Sequence, residues 1–188
     1  MKNLLITLLL SIGVTTSYSQ NIISIEAKGN LESPKPLLCV DLLEVTNENN
    51  PADILSGMKK CMEIKDFKNA ARLFAISGVY GKFDTYRVKD KSAHQALMAL
   101  QLGVVLDIDE ADKKLLFKNI NDLLSDKVSL NEICETIQKI GMPKYYPKYM
   151  IQHGIQAFID TKGDDLIEGF DCEKSWALAL KNYLHCGE

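Results

Sequence analysis

Apolar positions recur at helical spacing over most of the chain after residue 50, and the strict alternation of a half-buried strand is scarce. Asn50 can cap a helix, Pro51 suits the first helical position, and Asp53 favours the positive helix start. Ile54, Met58, Cys61 and Met62 then share one face. Lys65-Asp66 interrupts the pattern, and Phe67, Ala70, Ala71, Phe74 and Ala75 form a second stripe that closes at Gly78. So brief a turn predicts that these two helices pack antiparallel.

The same reading yields further helices downstream. Ser92-Ala-His-Gln95 and Ser129-Leu-Asn-Glu132 both read as capping boxes, in which Ser accepts from a backbone N–H and the later side chain reaches back. The first predicts a helix with Ala93, Ala96, Leu97 and Leu100 inward. The second predicts one with Leu130, Ile133, Cys134 and Ile137 inward, ended by Gly141 and Pro143. Between them, 109–125 carries Leu116, Ile120, Leu123 and Leu124. Pro147 opens another helix, with Met150, Ile151, Gly154, Ile155 and Phe158 facing in. Asp171 caps the last, whose inner face is Cys172, Trp176, Ala179, Leu180 and Tyr183. The expected architecture is all-α, a single-domain helical bundle or short helical array of about seven helices.

Ahead of the helices the picture changes. Lys2, the uncharged apolar run 4–14 and the small polar stretch 15–19 have the layout of a cleavable signal peptide, with Ser17 and Ser19 at the small-residue positions. A spanning helix needs roughly 20 apolar residues, more than this run supplies. Residues 1–19 are therefore read as a signal peptide, 20–49 as a partly irregular N-terminal segment, and 50–188 as the helical domain. Ile22, Ile23 and Ile25 lack a clear period, and 37–45 is a short apolar run that fits helix or strand.

Composition then bounds the function. Of 188 residues, removal of 19 leaves 169, enough for one domain with a real core. Loss of Lys2 takes the formal charge from −3 to −4. A mildly acidic domain is a poor partner for nucleic acid or for anionic lipid. No later segment is apolar and long enough to be an integral membrane span.

All five cysteines, Cys39, Cys61, Cys134, Cys172 and Cys186, follow the export signal, so disulfides are permitted and the odd count leaves one over. Cys172 and Cys186 flank a helical stretch of about 21 Å, whereas a disulfide tolerates roughly 7 Å between α-carbons. Each is expected to pair elsewhere, with Cys39 or Cys61 as candidates, and the connectivity stays open. Cys61 and Cys134 lie on apolar stripes, so at least one is expected as a buried thiol or core disulfide.

Catalytic chemistry finds little support. The three histidines, His94, His153 and His185, lack paired metal-ligand spacing, and no C-x-x-C occurs. Cys134 on an apolar face is a poor thiolate. No phosphate loop or serine elbow is present. No metal and no cofactor is expected. The alternative is a hydrolase-type enzyme using His94 or His153 with acidic neighbours. Two segments instead suggest binding. The stretch 78–91 holds Tyr80, Phe83, Tyr86 and Arg87, residue types that anchor interfaces. The stretch 142–149 holds Tyr145, Tyr146 and Tyr149 in a segment stiffened by two prolines. Both can equally serve as connectors whose aromatics pack on the core, with Asp84 and Arg87 paired locally.

The hairpin carrying Phe67, Ala70 and Phe74 resembles a tetratricopeptide repeat over about residues 53–78, although Met58 replaces the usual small glycine and the family's tryptophan and terminal proline are missing. The resemblance implies a helical surface for protein ligands. In size, export signal, cysteines and acidic balance the chain is also similar to periplasmic immunity proteins that neutralise cell-wall-degrading toxins of type VI secretion, with no shared motif. These readings converge on an exported, non-catalytic protein-binding module with a protein partner.

The exported protein is expected to begin at Gln20, which N-terminal sequencing reads directly. An intact Met1 would exclude the signal-peptide assignment.

Overall fold

The computed structural model describes residues 26–159 and 165–187. The expected signal peptide and the apolar positions Ile22, Ile23 and Ile25 lie outside the described residues. The described chain is all-α. Its helices are α1 (Pro51–Glu63), α2 (Phe67–Arg87), α3 (Ala96–Leu106), α4 (Glu110–Ser125), α5 (Lys127–Ile140), α6 (Lys148–Ile151) and α7 (Cys172–Leu184). Short 3-10 turns occur at Leu42–Glu44, Lys91–Gln95 and Ile155–Phe158. Among the described residues extended pairing is limited to one antiparallel bridge, Val88 with Leu166. No described helix is long and apolar enough to cross a membrane.

The start of α1 follows its sequence closely. Asn50 Oδ1 accepts from Asp53 N at 2.9 Å, and Asp53 Oδ2 accepts from Asn50 N at 3.0 Å. This reciprocal cap satisfies two N–H groups that the helix itself leaves open. Asp53 Oδ1 also accepts from Ser33 Oγ and Lys35 N, both at 2.8 Å. One buried carboxylate thus caps α1 and ties the irregular segment 26–49 to it. The run 37–45, ambiguous from sequence, is irregular apart from its 3-10 turn.

Around α2 the other helices are arranged. It packs against α1, α3, α4 and α7, and residues 75–81 are buried on every side. A helix apolar all round belongs in the interior. The expectation that this helix ends at Gly78 is corrected, since it runs on to Arg87. Gly78 admits α7: a β-carbon there would lie 1.9 Å from Tyr183 Cζ. Gly81 admits α3 in the same way, with Leu97 Cδ1 at 2.5 Å. The two glycines are contact points between helices.

Two helix starts also differ from expectation, for one reason. Asp126, ahead of Ser129, accepts from Ser129 N at 3.0 Å and from its hydroxyl at 2.6 Å, so α5 opens at Lys127. Asp90 likewise accepts from Ser92 N at 2.9 Å and its hydroxyl at 2.6 Å. A carboxylate upstream outcompetes the serine for the open N–H groups, because charge-assisted bonds are the stronger ones. Residues 91–95 therefore form a 3-10 turn before α3.

Most of the core joins α1, α2, α4, α5 and α7, and a smaller cluster joins Val88, Ala93 and Ala96 to Tyr149, Met150 and Ile151. Two disulfides are built into the main core. Cys39–Cys61 ties the N-terminal segment to α1, and Cys134–Cys186 ties α5 to the chain just beyond α7. Of the two expectations for Cys61 and Cys134, a buried thiol or a core disulfide, the disulfide is present at both positions. Cys172, expected to pair, is instead the free and exposed cysteine. It occupies the first position of α7 on the solvent side. Cys186 reaches Cys134 because the chain reverses at His185, whose φ is 57°. Disulfides persist in oxidising compartments.

Thiol labelling of the native protein should modify Cys172 alone, and labelling of Cys61 or Cys134 would contradict the pairing. On a chain-entropy basis the shorter loop contributes about 3 kcal/mol and the longer about 4 kcal/mol. Cys134→Ala with Cys186→Ala should therefore lower Tm more than Cys39→Ala with Cys61→Ala.

Candidate functional site

The most polar point of the interior is Asp84, fully buried near the end of α2. Its Oδ1 accepts from Arg87 Nε at 2.8 Å. Its Oδ2 accepts from the Tyr145 hydroxyl at 2.9 Å and the Tyr149 hydroxyl at 2.7 Å. Arg87 Nη2 also lies 2.7 Å from Oδ1, out of line for a hydrogen bond. The guanidinium is sandwiched, 5.1 Å from the Phe83 ring centre and 5.1 Å from that of Tyr145. Burial pushes the Asp84 carboxyl above its ordinary range, and the Arg87 charge and both tyrosine hydroxyls offset this only in part. Burial, then the Asp84 charge, holds the Tyr145 and Tyr149 hydroxyls protonated well above the usual phenol range.

This arrangement relocates most of the residues expected to form a contact surface. Tyr80 is fully buried and Phe83 is 1% exposed, both packed edge-on to Trp176. The Tyr80 hydroxyl donates to Gly141 O at 2.9 Å, and burial raises its pKa. Arg87 and Tyr149 are buried with Asp84. Tyr145 is partly buried on the same carboxylate. The expectation that Tyr80, Phe83, Arg87, Tyr145 and Tyr149 offer accessible anchors is therefore corrected: an uninterrupted α2 turns its residues inward, and Asp84 draws both tyrosines down. Tyr86 is half-buried, and its hydroxyl accepts from Asn182 Nδ2 at 2.9 Å. Tyr146 alone of the seven is exposed, with its hydroxyl donating to Asp165 at 2.9 Å.

The two histidines named for an enzyme reading are each engaged. His94 Nε2 lies 2.9 Å from Val88 O, and His153 Nδ1 lies 2.9 Å from Asn30 Oδ1. Among the described residues no three His, Cys, Asp or Glu side chains converge on one point as metal ligands would.

The surface feature that stands out lies on α3. Met98 is 57% exposed, Leu102 51% and Leu106 72%. These positions, four residues apart, form one continuous stripe along the helix. Gly103 beside them has open space around it. Across 96–106 the one polar side chain is Gln101, and it turns to donate to the Tyr183 hydroxyl at 3.0 Å. The inner side of α3 uses Ala96, Leu97 and Leu100, as expected. Sequence reasoning missed the outer side. The available signal was a short helix apolar on every face, which needs either full burial or a partner.

Replacing Asp84 with Ala leaves the Arg87 charge buried without its partner and should cost about 3–5 kcal/mol of stability. Tyr149→Phe removes one charge-assisted bond and should cost about 1.5–3 kcal/mol. Urea unfolding measures both; an Asp84→Ala protein as stable as wild type would show that the cluster does not hold the fold.

Set against known protein families, curated protein sequences and solved structures, the chain has no match.

Proposed function

We propose that this protein is an exported, non-catalytic protein-binding module, acting as a periplasmic immunity or inhibitor protein against a toxin enzyme. The observation that carries the reading is the solvent-facing stripe of Met98, Leu102 and Leu106 on α3. Large apolar side chains gathered on one helix face gain by leaving water, at about 25 cal/mol per Å² of apolar surface covered. The occupant that fits is an amphipathic helix of the partner. A ridge with four-residue spacing receives the ridges of an opposing helix, and Gly103 beside it lets that helix approach closely. The two disulfides support the exported setting, since disulfides form and persist in oxidising compartments.

The reading makes a linked pair of claims. A cell-wall-degrading toxin encoded beside this protein should be bound and neutralised by it. Leu102→Glu and Leu106→Glu should weaken that complex by about thirtyfold or more while shifting folding stability by less than about 0.5 kcal/mol. Unchanged affinity in both variants would remove α3 as the interface. Failure of the wild type to bind or neutralise that toxin would remove the immunity role.

A further inference from the structure

The chain has two arginines, and they are used in opposite ways. Arg87 is consumed by Asp84. Arg72, half-buried on α2, makes no hydrogen bond and no ion pair among the described residues, although it stands between two adjoining clefts of about 300 and 340 Å³. Arg72, Ser129 and Glu132 line both clefts, which together form one groove between α2 and the start of α5.

An arginine beside so many carboxylates would be expected to pair with one. The structure shows why it does not. Asp126 is committed to capping α5. Asp122 holds Lys118 at 2.5 Å. Asp41 accepts from Asn69 Nδ2 at 3.3 Å. Glu132 has no ion pair among the described residues, yet its carboxylate stays beyond ion-pair reach of the guanidinium. The groove therefore holds a cation and an anion apart, each with its bonding capacity unspent. Arginine presents a planar fork of donors that matches a carboxylate in two parallel bonds. Arg72 is half-buried, so its side chain has less freedom to lose on binding than a fully exposed one.

We propose that this groove binds an extended peptide segment of a protein partner, with a ligand carboxylate on Arg72 and a ligand cation on Glu132. Side chains two residues apart in an extended strand point to the same side, about 7 Å apart, which suits charges too distant to pair directly. Lys68 at the same groove adds a second cation on the carboxylate side. The inference shares with the proposed function only the class of partner. The groove involves α2 and α5 and the apolar stripe is on α3, so the two sites stand or fall separately.

The test is a nuclear magnetic resonance titration of the oxidised protein with acetyl-Ala-Glu-Ala-Lys-Ala-amide and with its reversed sequence. One of the two should shift the Arg72 Nε–H signal and the Ser129 and Glu132 amides saturably. Arg72→Ala should weaken binding about tenfold or more, as loss of a charge-assisted bond implies. Arg72→Lys keeps the charge but loses the fork, and it should also weaken binding while leaving Tm in place. Glu132→Gln should erase the preference for the lysine peptide over one with Ala in that position. Equal shifts from acetate alone, unaltered affinity in Arg72→Ala, or no saturable shift with either peptide would overturn the proposal.

Discussion

A single buried carboxylate decides how the second half of this protein lies on the first. Asp84 sits inside the end of α2, where an uncompensated charge would be prohibitive. Its compensation comes from two distances along the chain. Arg87 is one turn away and costs no topology. Tyr145 and Tyr149 are some sixty residues away in sequence, with hydroxyls on Oδ2 at 2.9 and 2.7 Å. Only if the segment after α5 crosses the end of α2 can both arrive. That crossing places α6 and its neighbours in the smaller core with Val88, Ala93 and Ala96. The Tyr80 hydroxyl bonded to Gly141 O anchors the start of the same segment. The turn of the chain is thus fixed by hydrogen bonds that cannot be exchanged for water, and hydrophobic burial fills in around them.

Much of the helical plan was legible because helix signals are local. Asn50 with Pro51 and Asp53, Gly141 after α5 and Asp171 before α7 all act where the sequence places them. The misreadings share a physical origin. Gly78 looks like a helix end because glycine disfavours helix interiors. The Tyr183 ring lying where a β-carbon would sit is a tertiary fact that no local rule contains. Ser92 and Ser129 look like caps until a stronger acceptor is noticed upstream. The aromatic segments were misplaced for the same reason. Tyr, Phe and Arg are both the residues of interfaces and the residues that can fill a core around a buried charge, and only the position of Asp84 distinguishes the two uses.

The exposed stripe of α3 is the converse case. Its inner face packs through Leu97 onto Gly81, which brings α3 close to α2 without needing much of its own surface. The outer face is then left with Met98, Leu102 and Leu106, although an isolated domain would be served better by charged residues there. The adjoining α4 carries Glu110, Asp112, Lys113, Lys114, Lys118 and Asp122, so polarity was available to the surface of this chain. On α4 the exposed apolar Leu115 and Phe117 stand among charged residues, whereas the exposed side chains of α3 include no charged one.

The two arginines draw the same contrast in electrostatic form. Around Arg87 the protein supplies a carboxylate and two flanking rings, so the charge is locked into the fold and buried away from a ligand. Around Arg72 carboxylates are also close, but each is engaged in a cap, a lysine pair or an amide contact, and Glu132 is held off. Leaving that pair open forgoes a contribution that, for partly exposed charges, is only about 0–1 kcal/mol. Keeping a fork of donors and a carboxylate unpaired in one groove is therefore cheap for the folded protein. The same groups become worth considerably more once a ligand excludes water from them, because the dielectric that weakens them in the free protein is gone.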